Sequence, residues 1–144
     1  MAERPKPIRA LGEVVLRVRN LDAMQEFYSA IIGLELLRRF NDSAFLKIAP
    51  GYAGHTQVLA LFKESIPPNH STIRRTGWDP QRSTLHHIAF AISLSDYTAE
   101  KERLEKLGLA VETREHSWMH WRSLYVSDPE GNAVELVCYD ASVS

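Results

Sequence analysis

The sequence predicts an α+β protein built from two βαβββ modules that repeat one another along the chain. Two segments, "GEVVLRV" and "HHIAFAI", alternate apolar and polar residues with the period of a β-strand. Each is followed by a helical pattern and then by three further strand patterns. Equivalent positions in the two halves are separated by a nearly constant interval, which indicates an internal repeat.

The first strand of each half has one face suited to a hydrophobic core. In "GEVVLRV", Val14, Leu16 and Val18 share that face, so Glu13 points the other way. In "HHIAFAI", isoleucine and phenylalanine take the core face, and His87 begins the opposite one. The two non-core faces therefore carry a carboxylate and an imidazole at equivalent positions.

Each first strand leads into a helix with its own start and stop signals. The helical segments are "DAMQEFYSAII" and "DYTAEKERLEKL", and each is ended by a glycine, Gly33 or Gly108. The residues expected to cap them are Asn20 or Asp22 for the first helix and Ser95 or Asp96 for the second.

Three short strands complete each module. They are "LELLRRF", "SAFLKIA" and "TQVLALF" in the first module and "LAVETRE", "WRSLYVS" and "NAVELVCY" in the second. Neither half can cover both faces of its sheet alone, so we expect the halves to pack together. The repeat interval is 74 positions from Glu13 to His87, and 75 from Gly33 to Gly108 and from Ala60 to Glu135.

These patterns divide the chain into a short lead and one two-module domain. Residues 1–7 are polar and proline-bearing, and we expect them to be flexible. The domain covers residues 8–140, with module one over 8–62 and module two over 84–140. Residues 63–83 are polar, contain prolines and lack periodicity, which is typical of a linker.

Composition excludes several classes of partner. The chain has 144 residues and a net charge of −1, with both signs interspersed, so we expect no electrostatic binding to nucleic acid. It has no long apolar run, so we expect no membrane span. Cys138 is its only cysteine, which excludes an internal disulfide and favours a cytoplasmic location.

Two stretches, "VVLRVRNLDAMQEFYSAIIGLELL" and "SDPEGNAVEL", give the chain a family resemblance. Over residues 8–140 it resembles the vicinal oxygen chelate superfamily, which includes glyoxalase I, extradiol dioxygenases, methylmalonyl-CoA epimerase, fosfomycin-resistance enzymes and bleomycin-binding proteins. The resemblance implies a curved, incompletely closed, barrel-like sheet around a cavity that holds a metal. One such fold hosts many chemistries, so it does not select one activity.

The resemblance also implies which positions bind that metal, because the first and last strands of each module supply the ligands. These positions are Glu13, Ala60, His87 and Glu135. Alanine cannot bind a metal, which leaves a trio of Glu13, His87 and Glu135. Strand alternation supports this trio independently, since it places all three side chains opposite the core-facing residues.

The trio departs from the family pattern at two positions. The first-strand ligand is usually histidine, and here it is Glu13; glyoxalase I has a glutamate where this chain has Ala60. One imidazole and two carboxylates still suit one divalent ion such as Zn, Ni, Fe, Mn or Co. Three ligands leave positions open for water and substrate, as a catalytic metal requires. Glu13 and Glu135 are also the predicted catalytic carboxylates.

Each predicted ligand has a structural alternative. Glu13 could face solvent at a strand start or pair with Arg17, and His87 could be a half-buried structural histidine. Glu135 fits a plain core strand less well, because burying an unpaired carboxylate is costly.

Four other residues are candidates for substrate binding. Trp118 and Trp121 in "HSWMHW" could line a pocket or fill a core. Arg122 could hold an anionic substrate group or lie on the surface, and Arg17 follows Glu13 on the same strand face.

Two functions compete on this evidence. The first is a metal-dependent enzyme, either a glyoxalase-like lyase or isomerase or a dioxygenase type, acting on a small oxygen-rich substrate. The second is a non-catalytic binding protein of the bleomycin-resistance type, which Ala60 and Glu13 favour. We also expect a homodimer, because exposed sheet edges invite pairing with a second chain.

Overall fold

The computed structural model describes residues 10–64 and 87–144. The chain divides into two compact units, Met1–Pro67 and Pro68–Ser144. Each unit contains one open four-stranded mixed sheet and one α-helix in the order βαβββ, so the predicted fold class is confirmed. The predicted lead over 1–7 lies outside the described residues, as does all of the predicted linker beyond Glu64.

The first unit begins with a strand and a short helix, followed by three antiparallel strands. Its helix continues directly into one π-helical turn. The elements are β1 (Glu13–Val18), α1 (Leu21–Glu26), the π-helical turn (Phe27–Ile31), β2 (Glu35–Arg39), β3 (Ser43–Tyr52) and β4 (His55–Lys63).

The second unit repeats this order with a longer helix. A short 3₁₀ turn connects its second and third strands. The elements are β5 (His87–Ala91), α2 (Leu94–Lys106), β6 (Glu112–His116), the 3₁₀ turn (Ser117–Met119), β7 (Trp121–Ser127) and β8 (Ala133–Tyr139).

The two sheets have the same topology, and their parallel strand pairs have the same register. Their strand orders are β1-β4-β3-β2 and β5-β8-β7-β6, and in each the first strand runs parallel to the last. Glu13 pairs with Val58 in one unit, and His87 pairs with Ala133 in the other. The repeat predicted from the constant interval is therefore present at the level of individual strand pairs.

The α1 helix starts and stops where the sequence predicts. The Asn20 side chain accepts a hydrogen bond of 3.0 Å from the backbone amide of Ala23, so Asn20 rather than Asp22 is the cap. The Ile32 amide donates to the Phe27 carbonyl, which closes the π-helical turn. Gly33 then adopts a φ of 96°, a left-handed conformation that ends the helix.

The α2 helix begins earlier than predicted. Its N-cap is Ser93, with extended backbone angles, and the helix already includes Ser95 and Asp96, so the predicted caps are wrong. The Ser93 hydroxyl donates to the Asp96 carboxylate at 2.7 Å and makes no side-chain bond to the helix backbone. At the other end, Gly108 has a φ of 85°, and the predicted stop is correct.

Each unit has its core between the helix and one face of the sheet. In β1, Leu16 and Val18 are buried while Val15 and Arg17 are exposed, as the alternation predicts. In the second unit, Leu104 of α2 is buried, and the buried sheet residues that share the helix-covered face are Phe90, Leu124, Val126, Val134, Leu136 and Cys138. Within residues 10–64 and 87–144, no helix is long and apolar enough to cross a membrane.

Replacing Asn20 with alanine tests how much its N-cap hydrogen bond stabilises α1. Asn20→Ala removes an N-cap acceptor, so we expect the free energy of unfolding to fall by about 1 kcal/mol, the usual cost of losing such a cap. Ser93→Ala is the matched control, because Ser93 occupies the same position in α2 without bonding the helix backbone. Urea unfolding followed by circular dichroism should show the larger loss for Asn20→Ala, and an equal or larger loss for Ser93→Ala would contradict this account.

Candidate functional site

The open face of the second sheet gathers a cluster of polar side chains. Val134 and Leu136 of β8 are buried on the helix-covered face, so Glu135 between them and its register partners lie on the opposite face. Tyr125 on β7 pairs directly with Glu135, and His87 begins the neighbouring strand β5. Three neighbouring strands of one sheet thus position these side chains.

Glu135 and His87 face each other across β8 and β5. His87 Nε2 lies 3.1 Å from Glu135 Oε2. Glu135 is only 5% exposed, while the His87 side chain is half-buried. A buried carboxylate is costly unless polar partners compensate its lost hydration, and His87 supplies one such partner.

Tyr125 supplies the second partner of the Glu135 carboxylate. The Tyr125 hydroxyl donates to Glu135 Oε1 at 3.0 Å, and His116 Nε2 lies 3.1 Å from that hydroxyl. Burial raises the pKa of Tyr125, and the hydrogen bond and negative charge of Glu135 raise it further. The hydroxyl therefore stays protonated, and it stays a donor, across the neutral range.

The donor atoms of His87 and Glu135 fit a divalent metal ion. Zinc lies about 2.0–2.2 Å from imidazole nitrogen and carboxylate oxygen, so two ligands of one ion are about 3 Å apart. The 3.1 Å between Nε2 and Oε2 matches that spacing. No group of three or more His, Cys, Asp or Glu side chains suited to a metal is found among residues 10–64 and 87–144.

Glu13 lies in the other unit, on the face of β1 opposite Leu16 and Val18. Its side chain is exposed and makes no hydrogen bond or ion pair with another residue of the described part of the chain. Ala60, on β4, pairs with Val15 and is fully buried. Of the three predicted ligands, the structure brings His87 and Glu135 together, and the assignment of Glu13 stays a prediction.

The predicted tryptophans lie at one end of the second sheet. Trp121 begins β7 and, by alternation, shares the face of Tyr125; Trp118 lies in the 3₁₀ turn and is 78% exposed. Their ring centroids are 6.5 Å apart. Arg17 is exposed on the same face of β1 as Glu13. The substrate-binding roles of these residues stay predictions.

Arg122 lies on the helix-covered face of the second sheet, away from His87 and Glu135. It pairs with Cys138 in the sheet register, and its guanidinium contacts Asp140 at 2.9 Å and Glu115 at 3.1 Å. The hydrogen bond with Asp140 is the main cause that raises the pKa of Arg122. The structure thus engages Arg122 in ion pairs within the fold, and its predicted substrate role is untested.

Sequence reasoning missed Tyr125, His116 and Arg114, which share the open face with Glu135. Arg114 lies with its guanidinium 5.9 Å from the centre of the Tyr125 ring. The alternation within "ETREH" and "WRSLYVS" already separates these residues from the core-facing ones. What the sequence lacks is the register that sets Tyr125 opposite Glu135.

Comparison with known proteins identifies the family of this chain. The sequence pattern of the Glyoxalase/Bleomycin resistance protein/Dioxygenase superfamily matches residues 10–136. The chain therefore belongs to this superfamily, which is the vicinal oxygen chelate group that its sequence resembles.

Similar proteins within the family have different activities. A glutathione transferase FosA from Serratia marcescens is 27% identical over 90% of this chain and 80% of its own length. A catechol-2,3-dioxygenase from Bacillus subtilis is 30% identical over 88% of this chain, which spans 40% of that enzyme. The crystal structure of a lactoylglutathione lyase from Agrobacterium tumefaciens, 28% identical, covers 92% of this chain and 96% of its own at a TM-score of 0.65.

The carboxylate of Asp140 makes stability depend on pH. Hydrogen bonds from the Ser142 side chain and amide, and then from Arg122, lower the pKa of Asp140 from its usual 3.8. A pKa that is lower in the folded state stabilises the fold at pH values above the unfolded-state pKa. This stabilisation is lost as the pH falls through the folded-state pKa. Asp140→Asn should therefore be destabilised relative to the wild type at pH 7, with the difference shrinking towards about pH 3.

Urea unfolding at the two pH values measures this difference. The control is Asp22→Asn, whose ion pair with Arg39 is at 2.7 Å but leaves the aspartate side chain 87% exposed, so we expect little effect at either pH. A loss for Asp140→Asn that is the same at both pH values would contradict the account.

Proposed function

We propose that this chain is a metal-dependent enzyme of its superfamily that acts on a small, oxygen-rich substrate. His87 and Glu135 would bind one divalent ion (Zn, Ni, Fe, Mn or Co), with Glu13 as a third ligand from the first unit. The observation that carries the proposal is the 3.1 Å approach of His87 Nε2 and Glu135 Oε2 on the face of the second sheet opposite its helix. The mixed nitrogen and oxygen donors suit such ions.

The protonation states that metal binding needs agree with the hydrogen bonds of the site. A carboxylate ligand must be ionised, and an ionised Glu135 can accept the hydrogen bond that Tyr125 donates to Oε1. Because Tyr125 occupies Oε1, Oε2 is the oxygen that faces His87 and would bind the ion. His87 would be neutral, with its Nε2 lone pair directed at the metal.

The bound ion would act as a Lewis acid that stabilises negative charge developing on chelated substrate oxygens. Proton transfer and substrate binding would then be carried out by side chains of this chain. Glu13 has an exposed side chain that makes no hydrogen bond with another described residue. If Glu13 does not bind the metal, its carboxylate can take a proton from the substrate. Trp121, with Trp118 and Arg17, would contact the rest of the substrate.

The reaction belongs with those of the relatives, a lyase or isomerase type or a dioxygenase type. Relatives named as a lactoylglutathione lyase and a catechol dioxygenase, both similar over 88% of this chain, support these two types. The homodimer and the cytoplasmic location remain predictions alongside this proposal.

One observation favours a second candidate, a non-catalytic binding protein. The position equivalent to Glu135 in the first unit is Ala60, which is fully buried and offers no ligand atom. If Glu13 binds no metal either, the first unit contributes nothing to a metal site. The protein would then sequester a small molecule without transforming it.

Metal content separates the two functions. Protein purified without chelators and analysed by inductively coupled plasma mass spectrometry should hold about one divalent ion per chain, because three protein ligands suffice for a catalytic site. His87→Ala should lose the metal, since it removes a ligand atom. His55→Ala is the matched control, because His55 starts β4 in the first unit. A folded wild type without metal would refute the enzyme proposal and favour the binding protein.

Glu13→Gln tests the ligand from the first unit. An amide oxygen is a weaker ligand of nearly the same shape, so we expect metal affinity to fall by at least tenfold while the circular dichroism spectrum is unchanged. Glu35→Gln, another exposed glutamate of the same unit, is the control and should bind metal as the wild type does. Unchanged affinity in Glu13→Gln would exclude Glu13 as a ligand and leave it only the role of a base.

A further inference from the structure

The segment "HSWMHW" contributes a histidine to the site that the proposed function does not use. His116, the last residue of β6, lies with Nε2 3.1 Å from the Tyr125 hydroxyl. That hydroxyl donates to Glu135 Oε1, whose second oxygen faces His87. Two hydrogen bonds and the contact between Glu135 and His87 thus link residues from all four strands of the second sheet.

The direction of these hydrogen bonds follows from the number of protons available. A tyrosine hydroxyl has a single proton, and an ionised carboxylate can only accept. The Tyr125 proton is therefore committed to Glu135, and the hydroxyl oxygen can only accept from His116. His116 must carry its proton on Nε2, and its Nε2–H then fixes the rotation of the Tyr125 hydroxyl.

We propose that His116 is a positioning residue for the metal ligand Glu135 and acts on it only through Tyr125. This inference rests on the proposed function, because it concerns the same metal site. By donating to the Tyr125 oxygen, His116 holds the hydroxyl proton on Oε1, which keeps Oε2 directed at His87. Partners of this kind, which orient a ligand without touching the metal, commonly change metal affinity by 10- to 100-fold.

His120, the other histidine of the segment, has contacts that stabilise the fold and do not involve the site. His120 Nδ1 bonds the backbone carbonyl of Val143 at 2.6 Å, and its ring packs against Tyr139. This hydrogen bond connects Val143 to the residue before β7, and His120 makes no hydrogen bond to Tyr125 or Glu135. His120 therefore provides a matched control in the same hairpin.

Metal titration of variants tests the proposal without any substrate. The probe is Zn²⁺ in competition with a chromogenic chelator. His116→Phe should weaken the Zn²⁺ affinity by about tenfold or more. His116→Gln, whose amide NH₂ can donate in place of Nε2–H, should restore most of it, whereas His120→Phe should bind as the wild type does. The proposal would be overturned if His116→Gln lost as much Zn²⁺ affinity as His116→Phe. It would also be overturned if His120→Phe lost as much.

A double-mutant cycle separates positioning from loosening of the hairpin. Tyr125→Phe should lower the affinity by a similar factor, because it removes the donor to Oε1. In that background, His116→Phe should have no further effect, since the only atom through which it acts is gone. Additive losses would contradict the proposal.

The outcome also distinguishes failure of the inference from failure of the proposed function. A wild type that binds no Zn²⁺ would refute both. A wild type that binds Zn²⁺, loses it in His87→Ala and keeps it unchanged in His116→Phe would refute only the role of His116. A direct readout of the tautomer is available from nitrogen chemical shifts, which should show a protonated Nε2 on His116; a protonated Nδ1 alone would overturn the proposal.

Discussion

The buried carboxylate of Glu135 is the constraint that organises the second unit. It lies in the strand that pairs with both β5 and β7, where water cannot hydrate it. An unpartnered carboxylate there would be very costly, so the sheet must present polar groups on both sides. Tyr125 and His87 do so from the flanking strands, and His116 supports Tyr125 from the fourth. The stability of this sheet and the proposed metal site therefore depend on the same oxygen atoms.

The internal repeat gives the two units the same order of elements and strands but different side-chain chemistry. Glu135 and Ala60 occupy equivalent places, opposite Ala89 and Val15 in the parallel strand pairs. In the first unit, the corresponding region of the open face carries aromatic rings instead, with Phe45 and Phe62 packed edge to face at 5.8 Å. A duplicated scaffold has therefore kept its polar cluster in one half and placed apolar surface in the other.

Much of the fold was predictable from the sequence, because strand and helix periods and glycine stops are local signals. The alternation around Leu16 predicted the helix-covered face, and Asn20 and Gly33 predicted the limits of the first helix. The start of α2 was missed because Ser95 and Asp96, which the sequence favoured, follow within three residues of the true cap, Ser93, and are equally common cap types. The site was only half predictable: parity gave His87 and Glu135, whereas Tyr125 and His116 become partners only through strand register and side-chain reach.

The central claim is that His87 and Glu135 are ligands of one metal ion. Anomalous diffraction from crystals of the protein loaded with Zn²⁺, recorded on both sides of the zinc absorption edge, tests it directly. The account predicts an anomalous peak about 2.0–2.2 Å from both His87 Nε2 and Glu135 Oε2, with Oε1 still bonded to Tyr125. A fully loaded crystal with its only peak elsewhere, and with the direct contact between His87 and Glu135 intact, would contradict it.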